Sequence, residues 1–287
     1  MRYSRLRRSA TRKRYAFFIL VAVLSCSLLY IFFAGTIGKY VSDVIAPILG
    51  SRGSTNDPTD DPKLTVPDEE DTVKVTENIT ANALKLYTIQ MGAFIEERNA
   101  EDYALTLRTQ GGAGYTVNDT YYRVLAVGFQ LESDAAKVRE QLKADDIDSQ
   151  VYKIASPGVN MQITATKSNV ETIKSAFSIW EDEYYKLEDI LKQLDRNEIS
   201  TTEAQSAISE CKQPIDEMSD KLEGLNATQE NNPILNGLLQ LYKDTAKSLD
   251  DIITQNPSNK VAISSKLKYT YIELMMKYKQ YLEQITG

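Results

Sequence analysis

The 23-residue run Ala16–Gly38, AFFILVAVLSCSLLYIFFAGTIG, carries no charge and constrains this chain more than any other segment. As a helix rising about 1.5 Å per residue it reaches roughly 34 Å, enough for a hydrocarbon core ~30 Å thick. Thirteen of its residues are Leu, Ile, Val or Phe, which favours insertion by roughly 5 kcal/mol at ~0.4 each. Arg2, Arg5, Arg7, Arg8, Arg12, Lys13 and Arg14 precede it, whereas only Lys39 and Arg52 occur in the next twenty residues. The positive-inside rule then predicts a transmembrane helix over 16–38, a basic cytoplasmic tail over 1–15, and an extracytoplasmic remainder. A cleavable signal would have a shorter apolar region. Val-Leu-Ser-Cys at 23–26 resembles a lipoprotein-processing box, but the apolar run continues past Cys26, which reads as lipid-facing.

The net charge of -7 hides an asymmetry, because the seven basic residues of the tail leave everything from Tyr15 onward at -14. An acidic body argues against nucleic acid as a partner, since that needs phosphate neutralisation by Lys and Arg. The chain has no histidine. Zinc hydrolases of the H-E-x-x-H type, Ser-His-Asp and Cys-His nucleophile systems and histidine-ligated haem each lose a required part. Cys26 and Cys211 match no paired metal motif, so neither metal nor cofactor is expected.

Residues 39–83 read as a disordered acidic linker. From Gly50 onward they carry Pro58, Pro62, Pro67 and the acids Asp57, Asp60, Asp61, Asp68, Glu69, Glu70 and Asp71. Such a segment buries too little apolar surface to offset the entropy of ordering. Its acid runs lack the spaced ligands and glycine of a calcium loop.

Residues 84–155 predict a small module. LYTIQM (86–91) has strand composition, and Gly92-Ala93-Phe94 ends it at a turn. Asn99 can cap a helix with Ala100, Tyr103, Ala104 and Leu107 at i, i+3, i+4, i+7. Gly111–Gly114 breaks that helix, and strands at 115–117 and 121–127 flank Asn118-Asp119, a hairpin signal. Ser133 caps a second helix, and 150–154 supplies the last strand. This βαββαβ order packs both helices on one face of a four-stranded antiparallel sheet and leaves the other face free. Alternation puts Thr88, Gln90, Tyr121, Arg123 and Leu125 on the face expected to be exposed, where they offer hydroxyl, amide, guanidinium and aromatic groups.

Tyr87-Thr-Ile-Gln-Met-Gly-Ala-Phe94, then Tyr122-Arg-Val-Leu-Ala-Val-Gly-Phe129 and a second Ser-led helix, resemble the SPOR (sporulation-related repeat) family over about a quarter of the chain. The resemblance implies an α+β βαββαβ fold. It also implies binding to bacterial peptidoglycan without catalysis, favouring glycan strands stripped of stem peptides, which accumulate at division septa. It places Gln90 on the glycan-binding face, and the position three residues on, Ala93, is Ser or Ala in many members. The second motif usually ends Gly-Pro-Phe or Gly-Ala-Phe. Here Val127-Gly128-Phe129 stands, which leaves the register of that strand, and so the role of Arg123, open. RNA is disfavoured, because residues 86–154 hold 7 basic against 11 acidic groups and lack the aromatic RNA-binding motif.

After a connector (156–167), residues 168–287 predict an all-α, four-helix domain, either a bundle or extended hairpins. Ser168/Glu171 and Ser200/Glu203 form capping boxes. The first seam runs Val170, Ile173, Phe177, Trp180, Tyr184, Leu187, Leu191, Leu194, and Cys211 falls on the second, Ala204, Ile208, Cys211, Ile215, Met218, Leu222 and Leu225, which keeps its rhythm despite a kink expected at Pro214. The third helix starts at Asn232-Pro233 and the fourth after Ser258. Glu181, Asp182 and Glu183 read as solvated.

Together these features lead to the expectation of a single-pass protein of the bacterial cell membrane that binds septal peptidoglycan. Its helical domain would contact division or sporulation proteins. The alternative is a membrane-tethered scaffold in which the helices bind partners and the small domain is structural.

Overall fold

The computed structural model describes residues 73–227, 232–256 and 258–286. The basic tail, Ala16–Gly38, Cys26 and most of the acidic linker lie outside them. None of the described helices is long and apolar enough to cross a membrane.

The first element was not expected. Strand β1 (Lys74–Ala81) lies where the linker was read, and it precedes β2 (Lys85–Phe94), α1 (Glu97–Thr109), β3 (Tyr115–Asn118), β4 (Tyr122–Phe129), α2 (Glu132–Ala144) and β5 (Gln150–Ala155). Next come β6 (Val159–Thr166), α3 (Lys167–Asp195), α4 (Thr201–Ala227), α5 (Pro233–Ile253) and α6 (Lys260–Thr286). β1 pairs antiparallel with β6, from Lys74↔Thr166 to Ala81↔Val159. This ribbon turns Ile79 and Ala81 inward, with Val75, Met161, Ile163 and Ala165 packed against the same core. Neither strand covers that apolar row alone, so the pairing corrects both the linker boundary and the connector.

The βαββαβ module forms as expected, with antiparallel strand order β3-β4-β2-β5. Gly111 and Gly114 carry the chain out of α1 with φ of 89° and 54°, a region disfavoured for side chains with a Cβ. α1 starts after Glu96 rather than Asn99, and α2 after Leu131 rather than Ser133. Ala100, Ala104 and Leu107 of α1 pack on Val124, with Met91, Phe94, Tyr103, Tyr122 and Ala126 around them.

The last four helices form a closed antiparallel ring: each packs on the next, and α6 returns to α3. Every residue of the first expected seam is buried, as are Ala204, Ile208, Cys211, Ile215, Met218, Leu222 and Leu225 of α4. The Ser200/Glu203 box forms, with Ser200 N donating to Glu203 Oε2 at 2.7 Å and Glu203 N to Ser200 Oγ at 3.2 Å. Asn232 Oδ1 caps α5 through Ile234 N and Leu235 N. Helix α3 begins one residue before Ser168, with Thr166 rather than Ser168 at its N-cap. Helix α4 runs without interruption through Pro214. Glu183, read as solvated, is buried and ion-paired with Lys186 at 2.7 Å.

A stacked column of Tyr278, Trp180, Tyr184 and Tyr271 joins α6 to α3, with successive ring centroids 4.5, 5.3 and 4.5 Å apart. Bundle and module share one core, since Leu86, Val117, Leu125 and Ile154 belong to the same buried cluster as Trp180, Tyr271 and Ile272. Helix α6 packs on β3, β4 and β5. Ser265 Oγ and Lys268 Nζ donate to the carbonyls of Gly112 and Gly111 at 2.8 and 2.9 Å. Tyr269 packs against Tyr115 with centroids 5.0 Å apart.

Candidate functional site

The sheet face opposite α1 and α2 presents Leu86, Thr88, Gln90 and Ala93 from β2, Arg123 and Leu125 from β4, Tyr115 and Val117 from β3, and Tyr152 from β5. The register sets this grouping through Thr88↔Tyr152, Gln90↔Leu125, Ala93↔Arg123, Tyr115↔Leu125 and Val117↔Arg123. Two irregularities in the β2–β4 pairing, between Thr88 and Gln90 and between Gln90 and Gly92, shift Arg123 opposite Ala93. Arg123 still meets Gln90, its Nη1 donating to Oε1 at 2.9 Å.

The face was assigned correctly, but its exposure was not. Thr88 and Leu125 are 0% exposed and Gln90 is 7% exposed. The apolar members of this face need cover, and the bundle supplies it. Thr88 therefore donates to the Tyr152 carbonyl at 2.7 Å, and Leu125 sits in the shared core, so both are packing residues rather than contact residues. What remains open is the margin at the β3–β4 hairpin, where Ala93 is exposed, Tyr121 is 44% exposed, and Arg123 and Tyr152 are half-buried.

That margin is internally ordered. Asp119 Oδ1 accepts from Tyr121 N at 3.0 Å, a side-chain-closed turn that fixes the hairpin. Arg123 Nε donates to both Asp119 oxygens at 3.0 and 2.8 Å, and Tyr152 OH donates to Oδ2 at 3.2 Å. Bonds to Arg123 hold the Asp119 carboxyl at about 2, well below its usual range, and the same bonds push the guanidinium up. The guanidinium carbon lies 5.6 Å from the Tyr121 ring centroid and 5.2 Å from that of Tyr152, a stacking that favours a planar cation. Burial is the main cause of the raised Tyr152 hydroxyl, with Asp119 adding to it.

Sequence reasoning placed Gln90, Ala93, Tyr121 and Arg123 near one another and missed Asp119 and Tyr152. The Asp119…Arg123 spacing of four was a usable signal, but the Tyr152 contribution depends on β5 pairing with β2. Separately, a groove of about 780 Å³ lies between the end of α1 and α6, lined by Arg108, Val261, Ser265, Tyr269 and Glu273 among others. No group of His, Cys, Asp and Glu among the described residues is arranged to hold a metal ion.

Comparison with protein families matches residues 83–153 to the SPOR domain. This segment is a SPOR domain. SPOR domains bind peptidoglycan, commonly in cell division, and form a binding family rather than a catalytic one. The match ends before β6, so the SPOR domain here is an inserted sheet between the paired strands β1 and β6, with the helical bundle following. No curated protein and no solved structure matches the chain.

Proposed function

We propose that this chain is a membrane-anchored peptidoglycan-binding protein whose SPOR domain holds glycan strands stripped of stem peptides, at the septum of dividing or sporulating bacteria. The uncharged run Ala16–Gly38 behind seven basic residues supports the anchor and the orientation. The observation that carries the glycan reading is the hairpin margin, where an exposed tyrosine ring, a guanidinium and an amide meet on the SPOR sheet. Sugar rings offer C–H faces to Tyr121 and hydroxyls to Arg123 and Gln90. Gln90 and Arg123 act from the rim of the covered area, and Ala93 leaves the floor of the margin low.

Purified protein is expected to co-sediment with isolated sacculi, and more strongly after an amidase has removed the stem peptides. Tyr121→Ala is expected to weaken that binding about fivefold, for the loss of ~1 kcal/mol of ring contact. Absence of co-sedimentation with either preparation would overturn the proposal.

A second reading, a tethered scaffold whose helices bind protein partners, draws on a different observation: most of the SPOR sheet face is buried under α6 in a core shared with the bundle. It predicts no sacculus binding, so the same sedimentation separates the two.

A further inference from the structure

Two side-chain nitrogens at the hairpin margin are left without a partner among the described residues. Both Asp119 oxygens are engaged, by Tyr121 N, Arg123 Nε and Tyr152 OH. The Gln90 carbonyl oxygen accepts from Arg123 Nη1, and this fixes which way the amide points, because a guanidinium only donates. Arg123 Nη2 and Gln90 Nε2 make no hydrogen bond among the described residues, and both are N–H₂ donors. Two free N–H₂ donors, one of them on a guanidinium whose Nε is already clamped by Asp119 and whose Nη1 holds the Gln90 oxygen, fit an acceptor that can take two N–H bonds. A carboxylate is that acceptor.

We propose that Arg123 and Gln90 form a carboxylate-reading subsite of the SPOR domain, with Asp119 and Tyr152 as positioning residues, and that its ligand is a sugar acid of the glycan strand. This rests on the glycan reading above and narrows it. Hydrolysis of the amide between the sugar's lactyl ether and the first stem residue leaves a free lactyl carboxylate on alternate sugars of the strand. Stripping therefore does more than clear away peptide, since it creates the anion that Arg123 Nη2 and Gln90 Nε2 are placed to bind. The Tyr121 and Tyr152 rings, with centroids 5.6 and 5.2 Å from the guanidinium carbon, limit its rotation. Because Asp119 already balances the charge of Arg123, the subsite works by short-range geometry and adds little long-range attraction. This suits an acidic body that would otherwise repel an anionic polymer.

Stem peptides also carry carboxylates, so the test uses three preparations of one batch of sacculi: intact, amidase-stripped, and stripped with every carboxyl converted to a neutral amide by carbodiimide and glycinamide. The full chain is expected to bind the stripped sacculi about five- to tenfold tighter than the amidated ones. Arg123→Gln should bind both alike, at the amidated level, with Arg123→Lys between the two, and thermal melts of both variants should confirm that they fold. Equal binding of wild type to stripped and amidated sacculi would overturn the carboxylate subsite while leaving glycan binding intact. Tighter binding to intact than to stripped sacculi would overturn the lactyl assignment. Absence of binding to all three would overturn the glycan reading itself.

Discussion

Leu125→Ala separates a sugar-facing strand residue from a packed one. On an open glycan-binding face, truncating this side chain would change stability by no more than ~0.5 kcal/mol. Leu125 is instead 0% exposed and lies in the cluster that also holds Trp180, Tyr271 and Ile272. A Leu→Ala change in such a core costs about 2–5 kcal/mol, the larger values arising where the surroundings cannot collapse onto the space left. A sheet strand held between two helical layers collapses poorly, so about 3 kcal/mol is expected. For a folded unit of around 200 residues each kcal/mol moves Tm by ~2–4 °C, giving a fall of roughly 6–12 °C. The protein supplies its own reporter, since its one tryptophan, Trp180, sits in the bundle while Leu125 sits in the SPOR sheet. Thermal unfolding followed by Trp180 fluorescence and by helical circular dichroism should show one transition, shifted equally by Leu125→Ala in both signals. A Trp180 transition that stays within about 1 °C of wild type would refute the shared core.

Three other outcomes follow from local geometry. Glu188 is buried, and burial outweighs the pull of Lys192 at 2.9 Å, so its carboxyl is raised. Its contribution to stability is then greatest below the unfolded value and is lost as pH rises through the folded one, so the Tm of Glu188→Gln minus that of wild type should increase from pH 4 to pH 7; a difference that falls over that range contradicts this. Asp119, held at about 2, stays ionised across the neutral range, and glycan binding should not vary between pH 5 and pH 8; a sigmoidal change there, read by sedimentation, would contradict the Asp119–Arg123 clamp. Gly114→Ala would put a Cβ 2.3 Å from the Ala104 carbonyl oxygen at a φ of 54°, so a loss of more than ~1 kcal/mol is expected in chemical denaturation, and a neutral result would contradict the turn.

Much of this architecture was legible because its periodicities are local. The seam from Val170 to Leu194 needs only 3–4 spacing, and the strand pattern around Tyr87–Phe94 needs only alternation and a turn. The β1–β6 ribbon was not legible, since Lys74–Ala81 has a charged Glu77 on its inward row and gains meaning only beside Val159–Thr166. The covering of the sheet by α6 did leave a trace in the sequence. Ile263, Leu267, Tyr271, Leu274, Tyr278 and Tyr281 recur at 3–4 spacing along one side of that helix, and it also buries Ile272, Met275 and Leu282. A helix apolar on more than one side is buried on more than one side, and the second contact of α6 is the SPOR sheet. At the site, Gln90 and Arg123 follow from strand alternation and the family pattern. Tyr152 and the true exposure of Thr88 and Leu125 depend on long-range pairing that no local pattern reports.

The most direct test is a hydrogen–deuterium exchange footprint of the full chain with and without soluble glycan strands freed of stem peptide. Protection is expected at the hairpin margin, over residues 117–124 and 150–152, with exchange in α6 unchanged because that helix stays seated on the sheet. Protection spreading to residues 86–88 together with faster exchange in α6 would mean that glycan displaces the helix, and would contradict a site confined to the margin.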